Sequence, residues 1–342
     1  MTNYFRSRAP LRIGFAGGGT DVSPFSDNYG GYILNGTITM YAYTTIVPRD
    51  DGNIKILSMD RRVALSYKSQ EYIKPDGENN LVLGVYNRIV KDFIKHPLSF
   101  EITTWVDSPP GSGLGSSSTL VVSILGAFSE WLKLPLGEYD IARLAYEIER
   151  KDLEMKGGKQ DQYAATFGGI NFMEFYDQDR VIVNPLRITS TYLNELSMNL
   201  ILFYTGISRD SSKIIDSQIK SAHTRKGDPY TALCQLKEQA MEMKNALLRG
   251  DLFRIGEILD WGWQLKKKTS NKMTNAYIDK VYQVAKESGA AGGKISGAGG
   301  GGFMLFFCPG NNRYRVIEKL SKLGGEFRRF QFEKKGISTW TA

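Results

Sequence analysis

The stretch Ser108–Thr119, SPPGSGLGSSST, joins a predicted strand to a predicted helix, and this junction decides the fold. Before it, apolar and more polar residues alternate over 100–106, which is the period of a half-buried strand. After it, apolar residues recur at helical spacing from Leu120 to Trp131. The free amides of the loop and the positive end of the helix dipole then converge on one concavity. The sequence therefore predicts a phosphate-binding loop. A flexible Gly/Ser linker is disfavoured, because linkers are rarely flanked by two patterned elements.

Composition predicts a globular chain and leaves its ligand open. The 342 residues, of which 42% are hydrophobic, are enough for a sizeable core and for two domains. Basic residues exceed acidic ones by 44 to 36, but they are dispersed, so nucleic-acid binding is weakly supported and an anionic substrate fits the charge as well. No apolar run is as long as a membrane span, and the first residues lack the apolar core of a signal peptide. We therefore expect no membrane partner and a cytoplasmic location.

The scarcity of cysteine and histidine excludes several chemistries. Cys234 and Cys308 form neither a CxxC motif nor a disulfide framework, which suits a reducing compartment. His96 and His223 are the only histidines, which argues against a zinc site and against Ser/His/Asp catalysis. A general base in this protein is therefore expected to be a carboxylate.

Two further glycine-rich stretches flank the central one. Residues 11–21, LRIGFAGGGTD, predict either a second loop for close approach of a ligand or a simple hairpin turn formed at Asp21. Residues 294–302, KISGAGGGG, formally contain GxGxxG, but an apolar strand pattern follows, whereas the dinucleotide fingerprint must open a helix. The chain also lacks GxxxxGK[ST], so it is not a P-loop enzyme.

Three acidic residues near the middle of the chain differ in their surroundings. Glu147 has Arg143 and Lys151 four residues to either side, which predicts a solvated ion pair. Glu149 lies at the margin of the apolar face of the same predicted helix, where a carboxylate needs a partner or a cation such as magnesium. Asp161 follows a glycine pair, and the sequence alone leaves open whether it caps a helix or acts in catalysis.

Periodicity predicts the remaining elements. We expect strands at 41–47, 54–57, 200–204, 303–307 and 326–332, and helices at 80–93, 141–155, 211–222, 230–248, 252–267, 275–288 and 314–323. A strand, helix, strand ending of this kind is typical of an α+β domain.

The three glycine-rich stretches, in this order, resemble the three motifs of the GHMP small-molecule kinases. They are RAPLRI with GGGTD (8–13 and 17–21), PPGSGLGSSS (109–118) and KISGAGGGGF (294–303). The details GGKQDQYAA (157–165), YTGISR (204–209) and WQLKKK (263–268) are most similar to the branch that acts on heptose 7-phosphates. Galactokinase-like members usually carry GEHTD in the first motif, where this chain has Gly18 and Gly19 in place of Glu and His.

The resemblance implies a two-domain α+β GHMP kinase fold with the active site in the cleft between the domains. The implied division is an N-terminal domain over 1–190, with the phosphate loop, metal and catalytic residues, and a ferredoxin-like α+β C-terminal domain over 191–342. ATP would bind Gly111, Ser112, Gly113, Leu114, Gly115, Ser116, Ser117 and Ser118, and magnesium would bind Ser117 and Glu149. Asp161 would act on the attacking hydroxyl, with Arg12 beside it.

The resemblance also implies the acceptor. The expected reaction is ATP-dependent phosphorylation of a sugar phosphate, at the anomeric hydroxyl of D-glycero-D-manno-heptose 7-phosphate, to give the 1,7-bisphosphate. Alternatives are another sugar such as fucose or another hexose, a mevalonate-type alcohol, or a non-catalytic ligand-binding protein on the same scaffold. The expected substrate-binding residues are Gly18, Gly19, Thr20, Asp21, Gly299 and Gly300, with Lys159, Arg209 and Lys213 as cations for the distal phosphate. The oligomeric state stays open.

Overall fold

The computed structural model describes residues 3–75, 77, 80–207, 214–216, 219 and 228–342. Within these ranges the chain forms two sheets with helices packed against them. The strands are β1 Phe5–Ala16, β2 Gly31–Pro48, β3 Asn53–Ser58, β4 Val63–Lys68, β5 Phe100–Val106, β6 Ile170–Phe175, β7 Val181–Pro185, β8 Leu200–Tyr204, β9 Gly292–Ile295, β10 Phe303–Phe307, β11 Glu326–Arg328 and β12 Ser338–Thr341.

The helices follow the same chain order. They are α1 Phe25–Tyr29, α2 Asn80–Ile89, α3 Ser116–Leu132, α4 Glu138–Glu147, α5 Gln160–Phe167, α6 Ser190–Asn199, α7 Asp228–Arg249, α8 Leu252–Thr269, α9 Ala276–Glu287 and α10 Asn312–Ser321, with π-helical turns at Val90–Ile94 and Ile148–Asp152. In the part of the chain that the structure describes, none of these helices is both long and apolar enough to cross a bilayer.

The first sheet is organised around β2, a strand of 18 residues. The order is β12-β1-β2-β5-β3-β4, and β6 and β7 extend from the other half of β2. Helix α3 packs against β1 and β2 and is buried through its apolar residues, including Val121, Ile124 and Phe128. Because a helix buried along its length has little freedom to move, its N-terminus is held at a fixed place beside the sheet.

The second sheet is antiparallel, in the order β11-β8-β10-β9. Its core contains large buried side chains, among them Phe203, Trp263 and Phe306. The two sheets are joined by a common apolar cluster, in which Leu11 and Phe15 of β1 belong with Leu202 of β8 and Phe303 of β10. The shared cluster fixes the two sheets against each other and so fixes the cleft between them.

Several predicted strands and helices are confirmed, with boundaries close to the predicted ones. Strands β5, β8 and β10 span the predicted residues, and four predicted helices correspond to α7, α8, α9 and α10 within a few residues. The predicted α+β class is confirmed as well, with two separate sheets and helices packed against them. The predicted helix over 211–222 falls mostly outside the described residues.

Four predicted elements differ in their boundaries, and the first is the strand over 41–47, which is the second half of a strand that begins at Gly31. The predicted helices over 80–93 and 141–155 both change to π-helical turns, at Val90 and Ile148. A period of 3.6 residues cannot signal this change, because a π turn depends on backbone hydrogen bonds such as the one from Leu153 N to Ile148 O. The predicted strand over 326–332 ends at Arg328, because the chain then leaves the second sheet and Phe332 bridges to Ile38 of β2.

The C-terminus returns to the first sheet. Strand β12 pairs antiparallel with β1, with Arg8 opposite Ser338 and Phe5 opposite Thr341. Residues 338–341 therefore extend the first sheet. The predicted division at residue 190 groups these residues with the second domain. The division at residue 190 stays a proposal.

Candidate active site

A cleft lies where the glycine-rich loops of the two sheets meet. Its lining includes cations, carboxylates, serine hydroxyls and glycine backbone. Among the lining residues are Arg12, Gly19, Asp21, Gly111, Gly113, Gly115, Ser116, Ser117, Ser118, Glu149, Asp161, Lys266, Ser296, Gly297 and Gly299. Most of the residues singled out from the sequence are thus brought together in one place.

The phosphate loop is held in the cleft by backbone contacts. Gly115 precedes α3 in the left-handed conformation (φ 78°), and no side chain caps the helix. The first amides of α3 are therefore open to an anion, as helix N-termini are in general. The loop is anchored on both sides, by Arg12 N donating to Leu114 O (3.2 Å) and Phe303 N donating to Ser112 O (2.8 Å).

The third glycine-rich stretch is the turn between β9 and β10. These strands pair antiparallel, with Ile295 opposite Met304, so the stretch opens no helix and the dinucleotide interpretation is excluded. Gly299 lines the cleft, whereas the Gly300 amide donates to Met273 O (2.9 Å) and Gly300 is not part of the lining. The turn approaches the phosphate loop so closely that a Cβ on Gly113 would clash with Ser296 O.

Asp161 and Arg12 form an ion pair at the centre of the cleft. Arg12 Nε donates to Asp161 Oδ1 at 2.7 Å, and Arg12 Nη1 donates to Gly113 O at 2.6 Å. The guanidinium is almost fully buried, whereas the Asp161 side chain keeps 22% of its surface exposed. Arg12 thus fixes the carboxylate to the phosphate loop and leaves it accessible from the cleft.

Asp21, and not Asp161, caps helix α5. Its Oδ2 accepts hydrogen bonds from the backbone amides of Lys159 (3.0 Å) and Gln160 (3.1 Å), which are the first free donors of that helix. The sequence left open whether Asp161 caps a helix or acts in catalysis. Because Asp21 caps the helix, the catalytic role of Asp161 remains, as a proposal. Asp21 also lines the cleft, so its position is compatible with a ligand.

The structure does not bring Thr20 into the cleft lining. Its hydroxyl donates to Tyr32 O (2.9 Å) and accepts from Tyr32 N (3.0 Å), and the residue is fully buried. The hydroxyl that the resemblance assigns to the sugar is therefore engaged with the backbone at the start of β2.

Lys159 does not face the cleft either. Its ammonium is buried and pairs with Asp179 (3.0 Å) and Asp27 (3.2 Å). Burial by itself would lower the pKa of Lys159. The two carboxylates outweigh the effect of burial, so the pKa lies above its usual value. The charge is compensated, so Lys159 is a structural cation here and not a free partner for a phosphate. Arg209 and Lys213, the other two candidates, lie outside the described residues.

The two glutamates differ as the sequence suggested. Glu147 lies 3.4 Å from both Arg143 and Lys151, and 3.2 Å from Arg88. Glu149 is 1% exposed and lines the cleft, where its carboxylate accepts a hydrogen bond from Gln162 Nε2. Ser117 lines the same cleft from the first turn of α3.

Sequence reasoning missed two lysines in this region, Lys266, which lines the cleft, and Lys294, which is buried behind the lining. Lys266 Nζ donates to Gly297 O (3.0 Å) and Gly18 O (3.3 Å), and burial lowers the pKa of its ammonium to about 8. Lys266 belongs to a run of three lysines that resembles a surface block. The signal that distinguishes it is its spacing from Leu259 and Gly262, which places it on the buried stripe of α8.

Comparison with known proteins identifies the family. The model described as the GHMP kinases N terminal domain matches residues 80–169, and that described as GHMP kinases C terminal matches residues 243–326. A D-glycero-alpha-D-manno-heptose 7-phosphate kinase of Campylobacter jejuni is 47% identical over 335 residues, which are 98% of each chain.

Solved structures are similar over the same length. A crystal structure described as a D-glycero-D-manno-heptose 1-phosphate kinase from Bacteroides thetaiotaomicron is 46% identical, with a TM-score of 0.83 over 98% of both chains. The Lactococcus lactis galactokinase in complex with galactose has a TM-score of 0.78 over 98% of this chain and 95% of its own, at 18% identity. The second likeness concerns the fold alone.

Proposed function

This chain belongs to the GHMP kinase family, and on that premise we propose that it phosphorylates a heptose phosphate with ATP as the donor. The family and the similar heptose kinases make it an ATP-dependent sugar kinase. The observation that supports the proposed chemistry best is the Arg12–Asp161 ion pair. A Cβ on Gly115 would lie 3.1 Å from the Asp161 carboxyl carbon, so the acid stands directly beside the phosphate loop.

In the proposed mechanism, Asp161 orients the acceptor hydroxyl and takes its proton as the oxygen attacks the terminal phosphorus of ATP. The bond between that phosphorus and the bridging oxygen breaks, and ADP leaves. Arg12 holds the carboxylate in place through its Nε. Phosphoryl transfer depends mainly on positioning and on stabilising charge that spreads over the transferred group. The open amides at the start of α3 supply a positive potential on that group's side of the cleft.

Magnesium is part of the proposal. The donors suit it, because Mg²⁺ prefers oxygen ligands and usually takes one or two carboxylates together with phosphate oxygens. Glu149 supplies a buried carboxylate and Ser117 a hydroxyl in the same cleft. No cluster of three or more His, Cys, Asp or Glu residues occurs within the described ranges. When bound, the ion would neutralise phosphate charge.

The proposed acceptor is D-glycero-D-manno-heptose 7-phosphate, phosphorylated at the anomeric hydroxyl. The identity of 47% to a heptose 7-phosphate kinase over 98% of the chain supports this choice. The description of the similar crystal structure names a 1-phosphate instead, so the position of the ester is part of what the assay must decide. A cytoplasmic location is proposed as well, consistent with two free cysteines.

A substrate panel tests the proposal. We expect ATP turnover with D-glycero-D-manno-heptose 7-phosphate to exceed turnover with heptose 1-phosphate, heptose, fucose, galactose and mevalonate. A preference for one of the unphosphorylated compounds would replace the heptose phosphate by another GHMP substrate. Absence of turnover with all of them, together with retained ligand binding, would favour a non-catalytic protein. The joint presence of Arg12, Ser117, Glu149 and Asp161 argues against that last outcome.

Glu149→Gln is expected to raise the magnesium concentration for half-maximal activity by about ten- to a hundredfold, the usual loss when a residue supporting a metal is changed. Glu147→Gln is the matched control, because it changes a carboxylate two residues away that belongs to surface ion pairs. It should leave the magnesium requirement unchanged and cost about 0–1 kcal/mol of stability. Magnesium titrations that respond equally to both changes would remove Glu149 from the metal site.

A further inference from the structure

Two buried ammonium groups, one lining the cleft and one behind its lining, have no acidic partner among the residues that the structure describes. Lys266 is 3% exposed and Lys294 is 5% exposed. Lys266 donates only to carbonyl oxygens, and within the described ranges no carboxylate lies at ion-pair distance from either group. The third cation nearby, Arg12, is paired with Asp161. Burying an uncompensated charge is costly, so an arrangement of this kind is typical of a site whose anion is the ligand.

Gly18 lies next to these ammonium groups. A Cβ on Gly18 would lie 2.9 Å from Lys266 Nζ and 3.9 Å from Lys294 Nζ. A longer side chain at position 18 would fill this space. The glycine leaves both the volume and the positive charge available to a ligand.

The location favours the acceptor over the nucleotide. Gly18 belongs to the loop that also supplies Asp21, which caps the helix carrying Asp161. In the proposed mechanism the reacting hydroxyl lies at Asp161. Because the loop of Gly18 and Asp21 adjoins the start of the helix that carries Asp161, we expect the sugar to lie beside this loop. The open amides that suit the ATP phosphates belong to the start of α3, whereas Lys266 donates to Gly18 O and Gly297 O.

We propose that Lys266, supported by Lys294, recognises the phosphate ester of the acceptor at Gly18 and so determines that the enzyme uses a phosphorylated sugar. This inference rests on the proposed function and assigns its substrate specificity to a residue that the sequence motifs did not indicate. A dianionic phosphate supplies the negative charge that the two lysines lack, through hydrogen bonds to charged donors.

The site should depend on pH. Burial lowers the pKa of Lys266 to about 8, with Arg12 lowering it further and the carboxylates of Asp21 and Asp161 opposing the decrease. Burial also lowers the pKa of Lys294, together with repulsion from Lys266 and Arg12. A lysine is charged below its pKa, so the KM for the sugar phosphate should rise as pH passes upward through about 8.

Lys266→Met tests the inference, with Lys268→Met as the matched control on the exposed side of the same helix. We expect Lys266→Met to raise the KM for heptose 7-phosphate by about ten- to a hundredfold, as for loss of a charge-assisted contact. The KM for ATP and for unphosphorylated heptose should stay unchanged. Lys268→Met should change none of these constants. Lys266→Arg should retain most of the affinity and remove the rise in KM near pH 8, since arginine stays charged.

Gly18→Ala gives a second test that does not remove the lysine. Its Cβ would displace the Lys266 ammonium, so the KM for the sugar phosphate should rise here too. If folded Lys266→Met or Gly18→Ala protein keeps the wild-type KM for heptose 7-phosphate, the inference is wrong. It is equally wrong if Lys266→Met raises the KM for heptose and its phosphate alike, or raises that for ATP. Failure of the wild-type enzyme to use heptose 7-phosphate would instead overturn the proposed function.

Discussion

Replacing Asp161 by Asn is expected to lower kcat by about 10²- to 10⁴-fold, which is the usual contribution of a general base. The amide keeps the shape of the side chain and removes both the negative charge and the ability to accept a proton. ATP binding should be nearly unchanged, because the open amides of the phosphate loop do not involve this side chain. Steady-state kinetics would give kcat, and calorimetry with ATP would give the binding constant.

The control for this change is Asp152→Asn. Asp152 is also paired with an arginine, Arg88 at 2.7 Å, but it lies on the surface and outside the cleft lining. It should leave kcat within a factor of about two, as surface substitutions generally have small effects. If Asp161→Asn kept more than a tenth of the wild-type kcat, another group would have to take the proton, and the proposed role of Asp161 would be abandoned.

Gly113→Val is expected to abolish ATP binding and to lower the melting temperature. From the sequence alone, the reason is that a side chain would keep phosphate away from the backbone. The structure adds a second reason, since a Cβ at this position would clash with the backbone carbonyl of Ser296 in the opposing loop. Gly113 also has a positive φ of 84°, where an L-residue is strained by about 1–2 kcal/mol.

Gly52→Val separates the backbone strain from the clash with Ser296 and from the exclusion of phosphate. Gly52 has a similar φ of 68°, but a Cβ there would have no neighbour within 4 Å. It should therefore show the backbone strain alone, with full ATP affinity. A folded Gly113→Val protein that binds ATP as tightly as the wild type in calorimetry would show that the loop is not the nucleotide site.

Much of the site was predictable because its signals are local. The strand, loop and helix around residues 108–119 follow from hydrophobic periodicity and from glycines that interrupt it, and the structure has them at β5 and α3. The burial of Glu149 followed from its position on a helical face, although the helix changes to a π turn there. In both cases the deciding neighbours lie within a few residues along the chain.

The remaining features depend on residues far apart in sequence. Asp21 caps a helix that begins at Gln160, and Lys159 is neutralised by Asp27 and Asp179. The lysine at 266 becomes part of the cleft only because α8 packs beside the turn after β9. Composition and spacing cannot give such pairings, because nothing in the local pattern records which distant segment will be adjacent.

The pairing of β12 with β1 has a consequence for how the protein is made. A ribosome releases Phe5–Ala16 long before it has synthesised Ser338–Thr341, so the edge of β1 stays unpaired during almost the whole of translation. Open strand edges are templates for pairing with other chains. The nascent chain should therefore be most exposed to aggregation, and most dependent on chaperones, until residues 338–341 emerge. A stop codon introduced before residue 338 should yield insoluble protein even though every residue that lines the cleft has been translated.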